Sequence, residues 1–158
     1  QPNDFIKSSK TTNSSENINK SQSERLVFWE QFNSEVVAHG KPFNTRKATT
    51  DHWYNIAIGS SICYISITLV NSSSFVGVEL TIPNNKELFD SLLEKKEEIE
   101  GEIGFDFEWD RLNEKKASKI IHKIEGLDFD NHDNYPELMD EIIKKVIIMR
   151  DVFKQYIK

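Results

Sequence analysis

Between Tyr54 and Ile82 apolar residues recur at every second position in three successive runs: Tyr54, Ile56 and Ile58; Cys63, Ile65, Ile67 and Leu69; and Val76, Val78, Leu80 and Ile82. A period of two is the pattern of strands that bury one face. The connections, Gly59-Ser60-Ser61 and Asn71-Ser72-Ser73-Ser74, are too short for the crossover of about a dozen or more residues that parallel neighbours need. The runs therefore predict an antiparallel meander. Whatever else the chain forms must seal the greasy side of these strands.

Helical spacing supplies the seal. Ser21 and Glu24 form a capping-box pattern, followed by Leu26, Trp29, Phe32 and Val36 on one helical face, with Gly40 and Lys41-Pro42 as the stop. Pro83-Asn84-Asn85 ends the third strand and provides a cap for a second helix. Its stripe is Leu88, Phe89, Leu92, Leu93, Lys96 and Ile99, up to Gly101. Phe105, Phe107 and Trp109, then Ile120, His122 and Ile124, predict a second hairpin across Asn113-Glu114. Asn134 and Glu137 are placed to cap a last helix with Pro136 in its first turn and Leu138, Ile142, Val146, Met149 and Phe153 on one face. The expected fold is α+β, an antiparallel five-stranded sheet with three helices in the order α-β-β-β-α-β-β-α.

Length and composition fit one core. At 158 residues and 37% hydrophobic content, the chain suits a single α+β domain over residues 22–158. Residues 1–21 are rich in Ser, Thr, Asn and Lys, too poor in apolar surface to offset ordering, and are expected to be a disordered tail or linker. The start at Gln1 reads as the cut end of a longer chain, with no signal-peptide pattern. No apolar stretch reaches the roughly 20 residues that cross a bilayer, so no membrane association is expected. The lone Cys63 sits in a strand run, which suits a reducing cytoplasm. A formal net charge of -6 opposes any general affinity for phosphates, so DNA contact would need a local cationic patch.

Period two also creates a second sheet face, carrying Tyr64, Ser66, Thr68, Phe75, Glu79 and Thr81. It is less apolar than the first, and it is where function is expected. At one end, Arg46, Lys47, His52, Trp53 and Tyr54 combine cations with aromatics, a mixture able to hold an anionic, stackable group such as a nucleotide. Packing of Trp53 and Tyr54 into the core edge is the competing explanation. Lys115-Lys116 could extend that patch or simply keep a turn in water.

Catalytic patterns are missing. A restriction-like nuclease needs Glu, a spacer and Lys on one strand to serve a metal and an attacking water, yet Glu79 precedes Leu80-Thr81 and Glu108 precedes Trp109-Asp110. Asp106, Glu108 and Asp110 alternate with aromatics as the wet side of a strand does. His39, His52, His122 and His132 lack ligand spacing, so neither a metal nor another cofactor is expected. Glycine-rich phosphate loops, nucleophile elbows and Cys-x-x-Cys pairs do not occur.

Trp29 and Phe32, the basic pair before His52-Trp53-Tyr54, Gly59-Ser60-Ser61, Val78-Glu79-Leu80, Lys86-Glu87-Leu88-Phe89-Asp90 and Glu108-Trp109 with Lys115-Lys116 together resemble the bacterial and archaeal family called domain of unknown function 4268, over about Glu24 to Lys158. The resemblance implies a position C-terminal to a restriction-endonuclease-like module. Architecture of that kind does not fix an activity. On this basis the expected function is that of a non-catalytic accessory domain of a larger prokaryotic nuclease-associated or defence protein. Its expected roles are partner contact, homo-oligomerisation or weak DNA or nucleotide engagement. The alternative is an enzyme on nucleic acid or nucleotides working through Glu79, His52 and Arg46, with Lys47, Trp53 and Tyr54 holding the ligand.

Overall fold

The computed structural model describes residues 12–157. In chain order the elements are α1 (Thr12–Ala38), β1 (Trp53–Ala57), β2 (Tyr64–Val70), β3 (Phe75–Ile82), α2 (Lys86–Glu94), α3 (Lys96–Ile103), β4 (Glu108–Asp110), β5 (Ser118–Glu125) and α4 (Tyr135–Tyr156), with short 3-10 turns at Asn71–Ser73 and His132–Asn134. The five strands form one sheet in the order β1-β2-β3-β5-β4, antiparallel throughout. The meander and the second hairpin are both present.

Among the described residues there are four α-helices, one more than the periodicity predicts. The expected second helix divides at Lys95, whose N–H bonds to Leu92 O at 3.0 Å. Glu94 to Glu98 are five consecutive charged residues, so no buried side chain holds a straight axis between Leu92 and Ile99, the neighbouring buried positions. Asn85 does cap α2, its side chain accepting from Leu88 N at 2.9 Å. α1 starts at Thr12, running straight through the capping-box pattern expected to open it at Ser21. The first 11 residues of the expected tail lie outside the described part. β4 is shorter than expected, because Phe105 and Phe107 precede it. Asn134 makes no cap at α4. Its amide donates instead to Gly126 O at 2.7 Å.

One phase of the sheet is sealed. Tyr54, Ile56, Ile65, Ile67, Val78, Leu80 and Ile120 are all buried, and every helix reaches this side. Trp29 of α1 lies 5.0 Å from Tyr54 and Phe89 of α2 lies 6.2 Å from Trp109, ring centre to ring centre. Glu100 of α3 accepts from Trp109 Nε1 at 2.9 Å, and Phe153 of α4 lies 5.8 Å from Phe107. α1 and α4 are joined by Phe28 against Tyr135. Burying side chains of this size contributes about 1.5–3 kcal/mol each relative to exposure, so the two-layer arrangement rests on this interface. No helix among the described residues is long and apolar enough to cross a membrane.

Candidate functional site

The opposite phase is built from the strand register. Across the sheet, Asn55, Ser66, Glu79, Ile121 and Glu108 form one row, and Ala57, Tyr64, Thr81, Lys119 and Asp110 the next. Side chains on adjacent strands in such a row stand about 4.5–5.5 Å apart and interact. Thr81 Oγ1 donates to Ser66 Oγ at 3.3 Å and Ser66 Oγ to Asn55 Oδ1 at 2.8 Å, a hydroxyl relay ending in an amide. Over this floor lies a concavity of about 330 Å³ bounded by His52, Trp53, Tyr64, Thr68 and Lys119. The volume falls within the usual size of ligand pockets, about 300–1,000 Å³.

Glu79, on this face as the alternation predicts, carries a buried carboxylate. Its residue is 6% exposed, and the Lys119 ammonium is 3.1 Å from Oε1. The approach is off the hydrogen-bonding direction, which leaves Oε1 without a hydrogen bond among the described residues. The attraction between the two groups is therefore chiefly coulombic. Gly77, on the same face two residues earlier, makes the space: a Cβ there would stand 2.9 Å from Glu79 Oε2. At the far edge Lys123 pairs with Glu108 at 3.3 Å. Burial, then Glu108, holds the Asp110 carboxyl above its ordinary range, while Asp110 and then Lys123 hold Glu108 below. No group of His, Cys, Asp and Glu among the described residues is arranged to hold a metal.

The residues singled out in the sequence part company here. Trp53 is 45% exposed on the bare side, with His52 edge-on to it at 4.9 Å. Tyr54 turns to the core at 3% exposure. Its hydroxyl donates to Asn33 Oδ1 at 2.6 Å and accepts from Arg46 N at 2.7 Å, so it braces the loop before β1. Arg46 and Lys47 share a small crevice with Trp53 and Asn55 at the outer edge of β1. Glu79 sits two strands across from Asn55, and His52 three residues before Asn55, a backbone separation of roughly 14 Å from strand geometry. His52 and Glu79 therefore do not converge. Lys115 and Lys116 are exposed in the β4–β5 turn and do not line the concavity.

Sequence reasoning overlooked Asn55 and Lys119, whose places depend on pairing between distant strands. It also overlooked Lys86, whose ammonium donates to Arg111 O, Leu112 O, Ala117 O and Ser118 Oγ. That lysine holds the β4–β5 turn, where Leu112 adopts a left-handed φ of 56°. Only the polar, period-two character of Tyr64, Ser66, Thr68, Glu79 and Thr81 was an available signal for the face itself.

Comparison with known proteins adds a family and no activity. No curated protein and no solved structure matches the chain. The family model described as Domain of unknown function (DUF4268) matches residues 24–157, which takes in every described strand, α2 to α4 and α1 from Glu24 onward. The chain thus belongs to the DUF4268 family, by a match that spans the whole sheet and its helical cover.

Proposed function

We propose that the chain is a non-catalytic accessory domain of a larger prokaryotic nuclease-associated or defence protein, working through the bare face of its sheet in partner contact, oligomerisation or weak DNA engagement. The observation that carries this reading is the concavity over the Asn55–Ser66–Thr81 floor. A half-exposed tryptophan at the rim of a polar hollow suits a binding surface, since its ring offers apolar contact and its N–H a polar one. The enzyme alternative needs Glu79, His52 and Arg46 in one place; Glu79 lies on β3, two strands over from β1, beside which His52 and Arg46 sit, and this supports the accessory reading. An upstream nuclease-like domain is the partner suggested by family resemblance.

The test combines light scattering with gel shifts on the full chain and on Asn55→Arg, which fills the hollow. The expected result is self-association, or a shift of an added nuclease-like module, that Asn55→Arg abolishes, or a shift of DNA that the acidic variant Asn55→Glu abolishes. A strict monomer without affinity for any of them would overturn the proposal. Metal-dependent cleavage of DNA that disappears in Glu79→Ala would replace it with the enzyme.

A further inference from the structure

Three hollows on the β1–β2 side share residues in pairs. The crevice of about 80 Å³ holding Arg46 and Lys47 shares Trp53 and Asn55 with the central concavity of about 330 Å³. The central one shares His52 and Thr68 with a larger hollow of about 560 Å³, to which α1 contributes Arg25. The three hollows adjoin through these residues as a track around the β1 edge of the sheet, with Trp53 and His52 between Arg46, Lys47 and Asp51 at one end and Arg25 at the other. We propose that this track binds single-stranded DNA, a reading that rests on the bare face being the working surface.

Each part of the track matches a part of that polymer. Trp53 offers a half-exposed ring on an edge strand, and an unpaired base stacks on such a ring whatever its sequence. Arg25, Arg46 and Lys47 have no ion-pair partner among the described residues; with Asp51 in the crevice of Arg46 and Lys47, and Arg25 donating to Thr50 O at 3.3 Å, a positive excess remains at each end for phosphates. The floor between them is uncharged amide and hydroxyl, suited to base edges. Three joined hollows exceed what one nucleotide fills, which favours a chain over a free nucleotide. A duplex keeps its bases stacked inside and cannot present one to Trp53. Single-stranded RNA presents the same stackable bases and phosphates with an added ribose 2′-hydroxyl, the group by which proteins tell RNA from DNA, so the two strands are compared directly in the test. A net charge of -6 does not forbid this. Screening over about 10 Å at 0.1 M salt leaves the local cations in control.

Fluorescence anisotropy of the full chain with a labelled single-stranded DNA oligonucleotide tests the proposal, alongside the same sequence as duplex DNA and as RNA. The single DNA strand is expected to bind at least about tenfold more tightly than the duplex. Trp53→Ala is expected to weaken it about tenfold and Trp53→Phe to restore most of the loss, as stacking on an aromatic face requires. The double variant Arg46→Ala/Lys47→Ala should lower the salt slope by about 1.4, about 0.7 per cation removed on a single strand. Thermal unfolding of each variant checks that it is folded. A Trp53→Ala chain binding as well as the original would overturn the proposal, as would tighter binding of duplex or RNA. Absence of single-strand binding alongside self-association that Asn55→Arg abolishes would sink this inference and leave the accessory-domain reading standing.

Discussion

His39 and His122 carry the same ring in opposite settings. The two nitrogens of His39 face acceptors, Glu35 O and Asp140 Oδ1, each at 2.7 Å. Both must donate, which only the imidazolium can do. The hydrogen bond to Asp140, then that to Glu35, raises its pKa above 6.5. His122 faces an acceptor, Asp106 O at 3.0 Å, and a donor, Lys145 Nζ at 3.0 Å. That arrangement fixes the neutral ring with its proton on Nδ1, and burial, the largest cause, lowers its pKa below 6.5. An NMR titration of ring protons should place the two midpoints on opposite sides of 6.5, in that order. At the same scale, Gly77 and Glu79 should be coupled. Gly77→Ala, which crowds the Glu79 carboxylate, is expected to destabilise the natural chain but not a Glu79→Ala chain. A double-mutant cycle by chemical denaturation should give a coupling of about 1 kcal/mol.

Elements are held together by polar ties laid over the apolar seam. α1 and α4 run side by side, with Phe28 against Tyr135 inside and His39 against Asp140 at the rim. The raised pKa of His39 means that its tie stabilises fully below the unfolded value of 6.5 and is lost as pH rises through the folded value. Asp140, depressed by His39 and then Lys144, contributes above its ordinary 3.8 and loses that as pH falls through its folded value. The denaturation midpoint of the natural chain should therefore exceed that of His39→Gln most between these values, and the gap should close on going alkaline. Lys86 ties α2 to the β4–β5 turn through four acceptors. Lys86→Met should lower the denaturation midpoint and speed hydrogen exchange at Lys115 N, which bonds to Leu112 O across the turn. At this scale the strands were legible, because alternation reports a half-buried face directly. The α2–α3 break was not, because Glu94 to Glu98 continue a helical sequence by propensity while offering nothing to bury. Nor was the cap at α4, because Asn134 had a better acceptor in Gly126 O.

The described residues form a sheet sealed by helices on one side, with no described helix over the other. Alternation in β2 and β3 was enough to name most of the open face from sequence, including Tyr64, Ser66, Thr68, Glu79 and Thr81. It also shows why the cluster around His52 had to divide: Trp53 and Tyr54 are consecutive in a strand and so point to opposite faces. Tyr54 went to the core with Trp29 and Phe32, leaving Trp53 outside. Asn55, Lys119 and Arg25 could not be foreseen, since their places follow from pairing and docking of segments far apart in the chain. Hydroxyl-radical footprinting of the free full chain reads this division residue by residue. The division of faces predicts rapid oxidation of Trp53, intermediate oxidation of Tyr64 and protection of Tyr54 and Trp29. Oxidation of Tyr54 faster than Trp53, or a Trp53 as protected as Trp29, would contradict it.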